Sequence, residues 1–138
     1  MATQHLTIRI DAQLARQVKD LAARHQRSTS HVINSLLDEA LRLRRHPGIV
    51  FLDRAGGRCA VVAGSRLSVY EVIQIWKSYR KNRAAVLKHL AHLSPAQVDA
   101  ALTYYDDFRD EIDGQIEENT PTAAELIARY PFIKVVKV

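Results

Sequence analysis

The length, composition and charge of this chain exclude several classes of protein. Its 138 residues are 47% hydrophobic, which is enough apolar material for one domain or two small ones. No apolar run approaches the ~20 residues that cross a bilayer, no signal-peptide apolar region begins the chain, and the single cysteine, Cys59, excludes an internal disulfide framework, so we expect a cytoplasmic protein.

The net charge of +5 is unevenly distributed along the chain. Lys and Arg outnumber Asp and Glu through residues 1–98, whereas residues 99–125 carry one Arg against nine carboxylates. A basic front half is typical of proteins that bind a polyanion, and the acidic segment indicates a different partner. Solvated surfaces would explain both patterns equally well.

The first predicted element is a short strand over residues 4–10. Its side chains alternate, so that one face carries Leu6, Ile8 and Ile10 and the other carries His5, Thr7 and Arg9. Asp11 is a predicted helix N-cap. The first helix has an apolar stripe formed by Leu14, Val18, Leu21 and Ala22. After a hydroxyl-rich break at residues 27–30, a second helix has a broader apolar face, formed by Val32, Ile33, Leu36, Leu37, Ala40 and Leu41.

A single strand cannot satisfy its own backbone hydrogen-bonding groups, and the first 45 residues contain no second predicted strand. The simplest partner is the same strand of a second copy, with the four helices of the pair burying their apolar faces beneath the ribbon. Dimerisation is then part of folding.

Residues 4–45 resemble the ribbon-helix-helix family, which includes the Arc and MetJ repressors and the CopG-type regulators. The resemblance implies paired strands in the major groove of DNA, with His5, Thr7 and Arg9 reading base edges. Arg9 would make a bidentate contact to guanine O6 and N7. Alternatively, the strand is only a dimer seam with ordinary polar side chains.

The same resemblance implies a phosphate site at the N-terminus of the second helix, formed by Ser28, Thr29 and Ser30. The chain departs from the family at Gln26, because the family often has Gly in the turn between the helices.

Breakers at residues 46–48 predict a linker, and a hairpin is predicted with strands over 49–53 and 58–62. Three helices follow. The first two have apolar stripes formed by Val69, Val72, Ile73 and Trp76, and by Val86, Leu87, Leu90 and Ala91. The third begins at Ser94, which forms a capping box with Gln97. It is expected to present Val98, Leu102, Tyr105 and Ile112.

Residues 46–118 resemble a small helical domain of unknown function that is found in many proteins classed as antitoxins. That family is marked by Gly-Thr-Arg-Ile-Pro-Val and by a later Leu-Thr-x-x-Gln-Val. The residues that match are Gly64, Arg66, Val69, Leu93, Gln97, Val98 and, beyond the motifs, Tyr104. The resemblance implies neutralisation of a toxin, and it suggests a ribonuclease with a PIN-like domain.

The hairpin and three helices could form a winged helix that is a second DNA reader. Phosphate contacts would then come from Arg80, Lys81, Arg83 and Lys88. The alternative, which we favour, is a small dimerisation or docking core whose basic residues face water.

Seven carboxylates lie on and around one predicted helix: Asp106, Asp107, Asp110, Glu111, Asp113, Glu117 and Glu118. Paired carboxylates bind metals or act in acid–base catalysis. No nucleophile, histidine partner or Gly-rich loop accompanies them, so we expect a solvated helix face. We expect the protein not to be an enzyme and to bind neither a metal nor a cofactor.

A capping box formed by Thr122 and Glu125 starts a last helix, and residues 132–138 resemble a strand that closes the sheet or binds another protein.

These patterns predict a mostly α protein with three parts: a ribbon-helix-helix domain over 1–45, a hairpin with three helices over 46–118, and a tail over 119–138. The expected function is that of a type II antitoxin that binds operator DNA as a dimer, represses its own operator and neutralises a toxin. Toxin contacts are expected from Asp106, Asp110, Phe132, Ile133 and Val135. The alternatives are a stand-alone dimeric regulator and an enzyme that uses the carboxylates with a divalent metal.

Overall fold

A computed structural model describes residues 2–132 and divides the chain into two compact units between Arg45 and His46. We call them the N-terminal and C-terminal units. The elements of the described residues are α1 (Ala12–His25), α2 (Thr29–Arg45), β1 (Ile49–Arg54), β2 (Gly57–Val62), α3 (Val69–Ser78), α4 (Arg83–His89), α5 (Pro95–Asp107), α6 (Arg109–Asn119) and α7 (Ala123–Arg129). The chain is therefore mostly helical, with one small antiparallel sheet. Within residues 2–132, no helix combines the length and the apolar character that crossing a membrane requires.

In the N-terminal unit, side-chain caps determine where the helices begin. Asp11 Oδ2 accepts hydrogen bonds from the backbone N–H groups of Gln13 and Leu14 at 3.1 and 3.2 Å, which confirms the predicted N-cap. Helix α1 ends at Gln26, whose φ of 53° and ψ of 43° are left-handed. Gly favours this conformation because it has no Cβ, and this is the turn in which the ribbon-helix-helix family often has Gly. Ser28 Oγ then accepts from the backbone N–H of His31 at 3.1 Å and so caps α2.

The core of the N-terminal unit is small. Of its described residues, only Val18, Ala22 and Val32 are buried, and Leu21 and Ile33 pack against them. Residues 4–10 form neither helix nor strand in the single chain. A strand needs a neighbour that supplies hydrogen-bond partners, and the N-terminal unit contains none among its described residues. Pairing with a second copy therefore stays a prediction.

The C-terminal unit begins with the predicted hairpin, which is confirmed. Strands β1 and β2 pair antiparallel from Ile49 opposite Val62 to Arg54 opposite Gly57. Gly57 has a φ of 111°, which a side chain would strain, so glycine suits this end of the tight turn. One face of the hairpin packs on the core through Ile49, Phe51, Ala60 and Val62. Cys59 is buried and free, as expected for a small core residue.

Helices α3 to α6 complete this core. Helix α5 begins with Pro95 after Ser94, and the capping box between Ser94 and Gln97 is confirmed. A second capping box, between Ser68 and Glu71, begins α3. The fully enclosed side chains come from the hairpin and all four helices: Ile49, Val61, Val62, Val69, Val72, Ile73, Val86, Val98, Tyr104 and Ile112.

The prediction of three helices after the hairpin was wrong at the third. Helix α5 ends at Asp107, Phe108 has a non-helical φ of −131°, and α6 starts at Arg109. Ile112 consequently belongs to α6, where it is fully buried, and Leu102 is only partly buried. The rings of Tyr104 and Phe108 lie 4.6 Å apart across this break. The sequence has neither Gly nor Pro at this break, so tertiary packing, and not a local helix breaker, accounts for it.

Candidate nucleic-acid interface

The three predicted base-reading residues lie on the extended segment before α1. His5, Thr7 and Arg9 are exposed, and so are the apolar residues between them: Leu6 is 83% exposed and Ile8 is 60% exposed. Asp11 caps α1 directly after this segment. The single chain therefore leaves both sets of side chains available to partners, while their role in reading bases is not tested by it.

The apolar residues that the N-terminal unit leaves exposed are more informative than its polar ones. Besides the segment, helices α1 and α2 expose large side chains, with Leu14 at 50%, Leu37 at 53% and Leu41 at 65%. Burying a Leu or Ile side chain fully is worth ~1.5–3 kcal/mol, so covering each of these half-exposed groups would gain on the order of 1 kcal/mol. Several large apolar side chains exposed in one small unit favour an interface.

The predicted phosphate site is an exposed helix N-terminus. Ser28, Thr29 and Ser30 are all exposed, and the first turn of α2 contains no acidic residue. Ser28 Oγ is engaged with the N–H of His31, while a helix provides no internal acceptors for its first N–H groups. The site is therefore electrostatically suited to an anion.

Six of the seven acidic residues are exposed, as expected for a solvated surface, but the expectation that they share one helix was wrong. They are divided between α5 and α6, and several bond within the C-terminal unit. Asp106 pairs with Arg109 at 3.0 Å, and Glu111 accepts from the hydroxyl of Tyr104 at 2.8 Å. Because the helix is interrupted at Phe108, the carboxylates before and after this residue contact different neighbours. Asp110 is exposed.

Asp113 is the most strongly engaged of these carboxylates. Its Oδ1 accepts from Lys77 Nζ at 2.6 Å and from the Tyr105 hydroxyl at 2.8 Å. The hydrogen bond from Lys77, followed by that from Tyr105, lowers the pKa of Asp113, and the same bond raises the pKa of Lys77. The carboxylate thus joins α6 to α3 and α5. In the described part of the chain, no group of three or more His, Cys, Asp or Glu residues is arranged to hold a metal ion.

His46 is a buried polar residue that sequence analysis missed. It is 5% exposed, its Nε2 lies 2.7 Å from Asp107 Oδ2, and its ring meets the edges of Tyr104 and Phe108. In sequence it stands between an arginine pair and Pro47, which indicated only a linker. Its partner is 61 positions away, so no local pattern could have revealed it.

The two motifs that carry the resemblance to the antitoxin-associated domain meet in space. Gln97 Nε2 donates to the carbonyl of Ala63 at 3.0 Å. Gly64, with a φ of 78°, lies so close that an added Cβ would be 3.2 Å from the same nitrogen. Val69 and Val98 are fully buried. These motif residues build a turn and a core, which is a structural role rather than a chemical one.

Helix α7 exposes apolar side chains. Its predicted capping box, between Thr122 and Glu125, is confirmed, and none of its residues is buried. Ile127 is 49% exposed, Tyr130 is 41% exposed and Phe132 is 84% exposed. Two of the expected toxin contacts, Ile133 and Val135, lie outside the described residues.

Comparison of the chain with protein-family models, with curated proteins and with solved structures found no match.

Proposed function

We propose that this protein is a DNA-binding regulator that acts as a dimer through residues 1–45. In the dimer, residues 4–10 of two chains pair as an antiparallel ribbon that enters the major groove. The observation that carries the proposal is the exposed apolar surface of the N-terminal unit, which includes Leu6, Ile8, Leu37 and Leu41. A 45-residue unit with three buried apolar side chains has too little core to be stable alone.

A second copy of the chain is the simplest partner that covers this surface. Pairing the two segments satisfies the backbone groups along their facing edges, and alternation then turns Leu6, Ile8 and Ile10 toward the helices. His5, Thr7 and Arg9 consequently face outward together. Residues 1–45 carry eight Lys or Arg against four Asp or Glu, which favours a polyanionic partner. The α2 N-terminus adds an anion site on each chain.

DNA reading is tested with a duplex that the wild-type protein enriches from a random library, alongside a scrambled duplex. Arg9→Ala should weaken binding to the enriched duplex by ~1–3 kcal/mol, about 5- to 150-fold, and leave the scrambled duplex little changed. Ser30→Ala should weaken both equally, since a phosphate contact carries no sequence information. Arg24→Ala, an exposed cation on α1, is the matched control. Equal losses on both duplexes for Arg9→Ala would contradict base reading.

We further propose that the regulator is an autorepressing antitoxin whose C-terminal unit neutralises a ribonuclease with a PIN-like domain. Support comes from the resemblance of residues 46–118 and from the exposed Ile127, Tyr130 and Phe132 at α7. Asp106 and Asp110 are both exposed, but Asp106 is the weaker of the expected contacts because it already pairs with Arg109.

Co-expression with the product of the adjacent gene tests this half of the proposal. A complex should co-purify and growth should be rescued, and Phe132→Ser should reduce both more than Asp106→Asn does. If neither a complex nor rescue is observed, the antitoxin function is excluded and a stand-alone regulator remains.

A further inference from the structure

The loop between α3 and α4, residues 79–82, presents a concentrated positive charge. Arg80 and Lys81 are adjacent and exposed, and Lys88 is exposed on the following helix. No Asp or Glu occurs in sequence between Glu71 and Asp99. We call Arg80, Lys81 and Lys88 the basic loop cluster. None of them has a carboxylate partner among residues 2–132.

Neighbouring cations in the same unit are neutralised. Arg83 makes two hydrogen bonds to the carboxylate of Asp99, at 2.7 and 2.9 Å. Lys77 pairs with Asp113 at 2.6 Å. Among the described residues, Arg80 and Lys81 have no such carboxylate: both residues are exposed, and the Lys81 ammonium lies 5.5 Å from the centroid of the Trp76 ring.

The backbone of the loop is held in a conformation that residues with side chains rarely adopt. Arg80 and Lys81 have φ values of 52° and 63°, where a Cβ is unfavourable and Gly or Asn is usual. Their N–H groups are already engaged, with the carbonyls of Lys77 and Trp76 at 3.0 and 2.8 Å. The loop is also joined to α4, because the Tyr79 hydroxyl lies 2.9 Å from His89 Nδ1. The two backbone bonds have the pattern of a Schellman cap that ends α3, so the anchored loop presents two consecutive cations at fixed positions.

We propose that the basic loop cluster binds the phosphate backbone of duplex DNA, without reading its sequence. This inference rests on the proposed DNA-binding function and adds a second contact surface to it. Helix α5 is unsuited to entering a groove of DNA. Its exposed residues include Thr103 and two carboxylates, Asp99 and Asp106, which the negatively charged phosphates would repel. Engaged backbone N–H groups leave the guanidinium and ammonium groups as the phosphate ligands.

The test is the salt dependence of DNA binding by the full-length protein. In the double variant Arg80→Asn with Lys81→Asn, the left-handed backbone is tolerated, so folding should be preserved. Binding to the enriched and the scrambled duplex should weaken by the same factor. The slope of log K against log salt should fall by about 1 for each lost phosphate contact, which is about 2 per chain and about 4 per dimer.

The control is the double variant Arg66→Gln with Arg129→Gln, which removes the same charge from exposed residues outside the loop. It should leave the slope within error of the wild type. An equal loss in this control means that only net charge matters and overturns the proposal. An unchanged slope in the loop variant also overturns it, and loss of the toxin complex alone assigns the loop to a protein partner instead.

The two proposals fail in distinguishable ways. If the wild type binds DNA, Arg9→Ala affects specificity and the loop variant changes nothing, only the loop inference is wrong. If the loop variant loses binding while Arg9→Ala has no effect, the ribbon is not the reader and the loop inference stands. If the wild type binds no duplex DNA at all, both are wrong.

Discussion

The two units of this chain differ in how much of their own apolar surface they cover. In the C-terminal unit, a hairpin and four helices enclose ten side chains almost completely, from Ile49 to Ile112. In the N-terminal unit, two helices bury only Val18, Ala22 and Val32, and Leu41 is 65% exposed. Their sequences are similarly apolar at helical spacing, so the difference lies in the number of elements available to pack. The hairpin and helices α3 to α6 of the C-terminal unit cover a core within one chain, whereas the N-terminal unit leaves most of its apolar side chains exposed, as our proposal that it pairs with a second chain requires.

The largest expected effect comes from a charge placed among the exposed apolar residues of the N-terminal segment, because it tests whether a second chain covers them. In Ile8→Asp, each chain of the dimer would bury an unpaired carboxylate at a cost of at least about 3 kcal/mol, which should abolish dimerisation. Thr7 is adjacent to Ile8 but lies on the opposite face of the proposed ribbon, so Thr7→Asp should leave the dimer intact and impair DNA binding. Sedimentation velocity measures the first effect. If Ile8→Asp remains dimeric, the ribbon model is wrong.

A pair of truncations sharpens the contrast between the units. Ile73→Ala, at a fully buried position, should destabilise the C-terminal unit by ~2–5 kcal/mol at every protein concentration. Leu37→Ala, at a position 53% exposed in one chain, should lower a midpoint that depends on protein concentration. Trp76 is the only tryptophan and lies in the C-terminal unit, so its fluorescence isolates that unit while circular dichroism reports both. If the unfolding transitions followed by fluorescence and by circular dichroism coincided in both variants, the two units would not unfold independently.

Gln26 offers a smaller effect in the N-terminal unit. Its left-handed φ of 53° strains a side chain, so Gln26→Gly should stabilise the protein by about 0.5–1 kcal/mol after the entropy of glycine is subtracted. Thermal unfolding followed by circular dichroism measures this change. Gln13→Gly, inside α1, is the control and should destabilise instead. A loss of stability in Gln26→Gly would show that the turn does not hold this conformation.

The smallest expected effect concerns pH in the C-terminal unit. Because Lys77 and Tyr105 lower the pKa of Asp113, this carboxylate contributes stability above its ordinary pKa and loses it as pH falls through the lowered value. The pair is half-exposed, so the contribution should be within about 1 kcal/mol. The free energies of unfolding of wild type and Asp113→Asn should therefore differ at neutral pH and converge below about pH 4. A constant difference across that range would exclude the carboxylate as its cause.

Local signals in the sequence predicted the features that depend on neighbouring residues. The N-cap at Asp11, the capping boxes beginning at Ser94 and Thr122 and the hairpin turn before Gly57 were all confirmed. The break at Phe108 was not predicted, because apolar periodicity continues from Tyr105 to Ile112 and no breaker interrupts it. The apparent single acidic helix was consequently two helices. As for the candidate site, the anion-friendly first turn of α2 was foreseeable from its hydroxyl residues. Arg80 and Lys81 were also foreseeable as phosphate contacts, but their left-handed backbone and the pairing of Arg83 with Asp99 were not.

By itself, then, the sequence determined the helix starts, the hairpin and the distribution of charge, because caps, turns and formal charges act within a few residues. Only the tertiary structure decided which carboxylates bond internally and which cations stay in solvent, since Asp107 meets His46 across 61 positions and Asp113 meets Lys77 across 36. It also showed that the N-terminal unit leaves its apolar side chains uncovered, because burial depends on how many elements surround a residue and not on the residue alone.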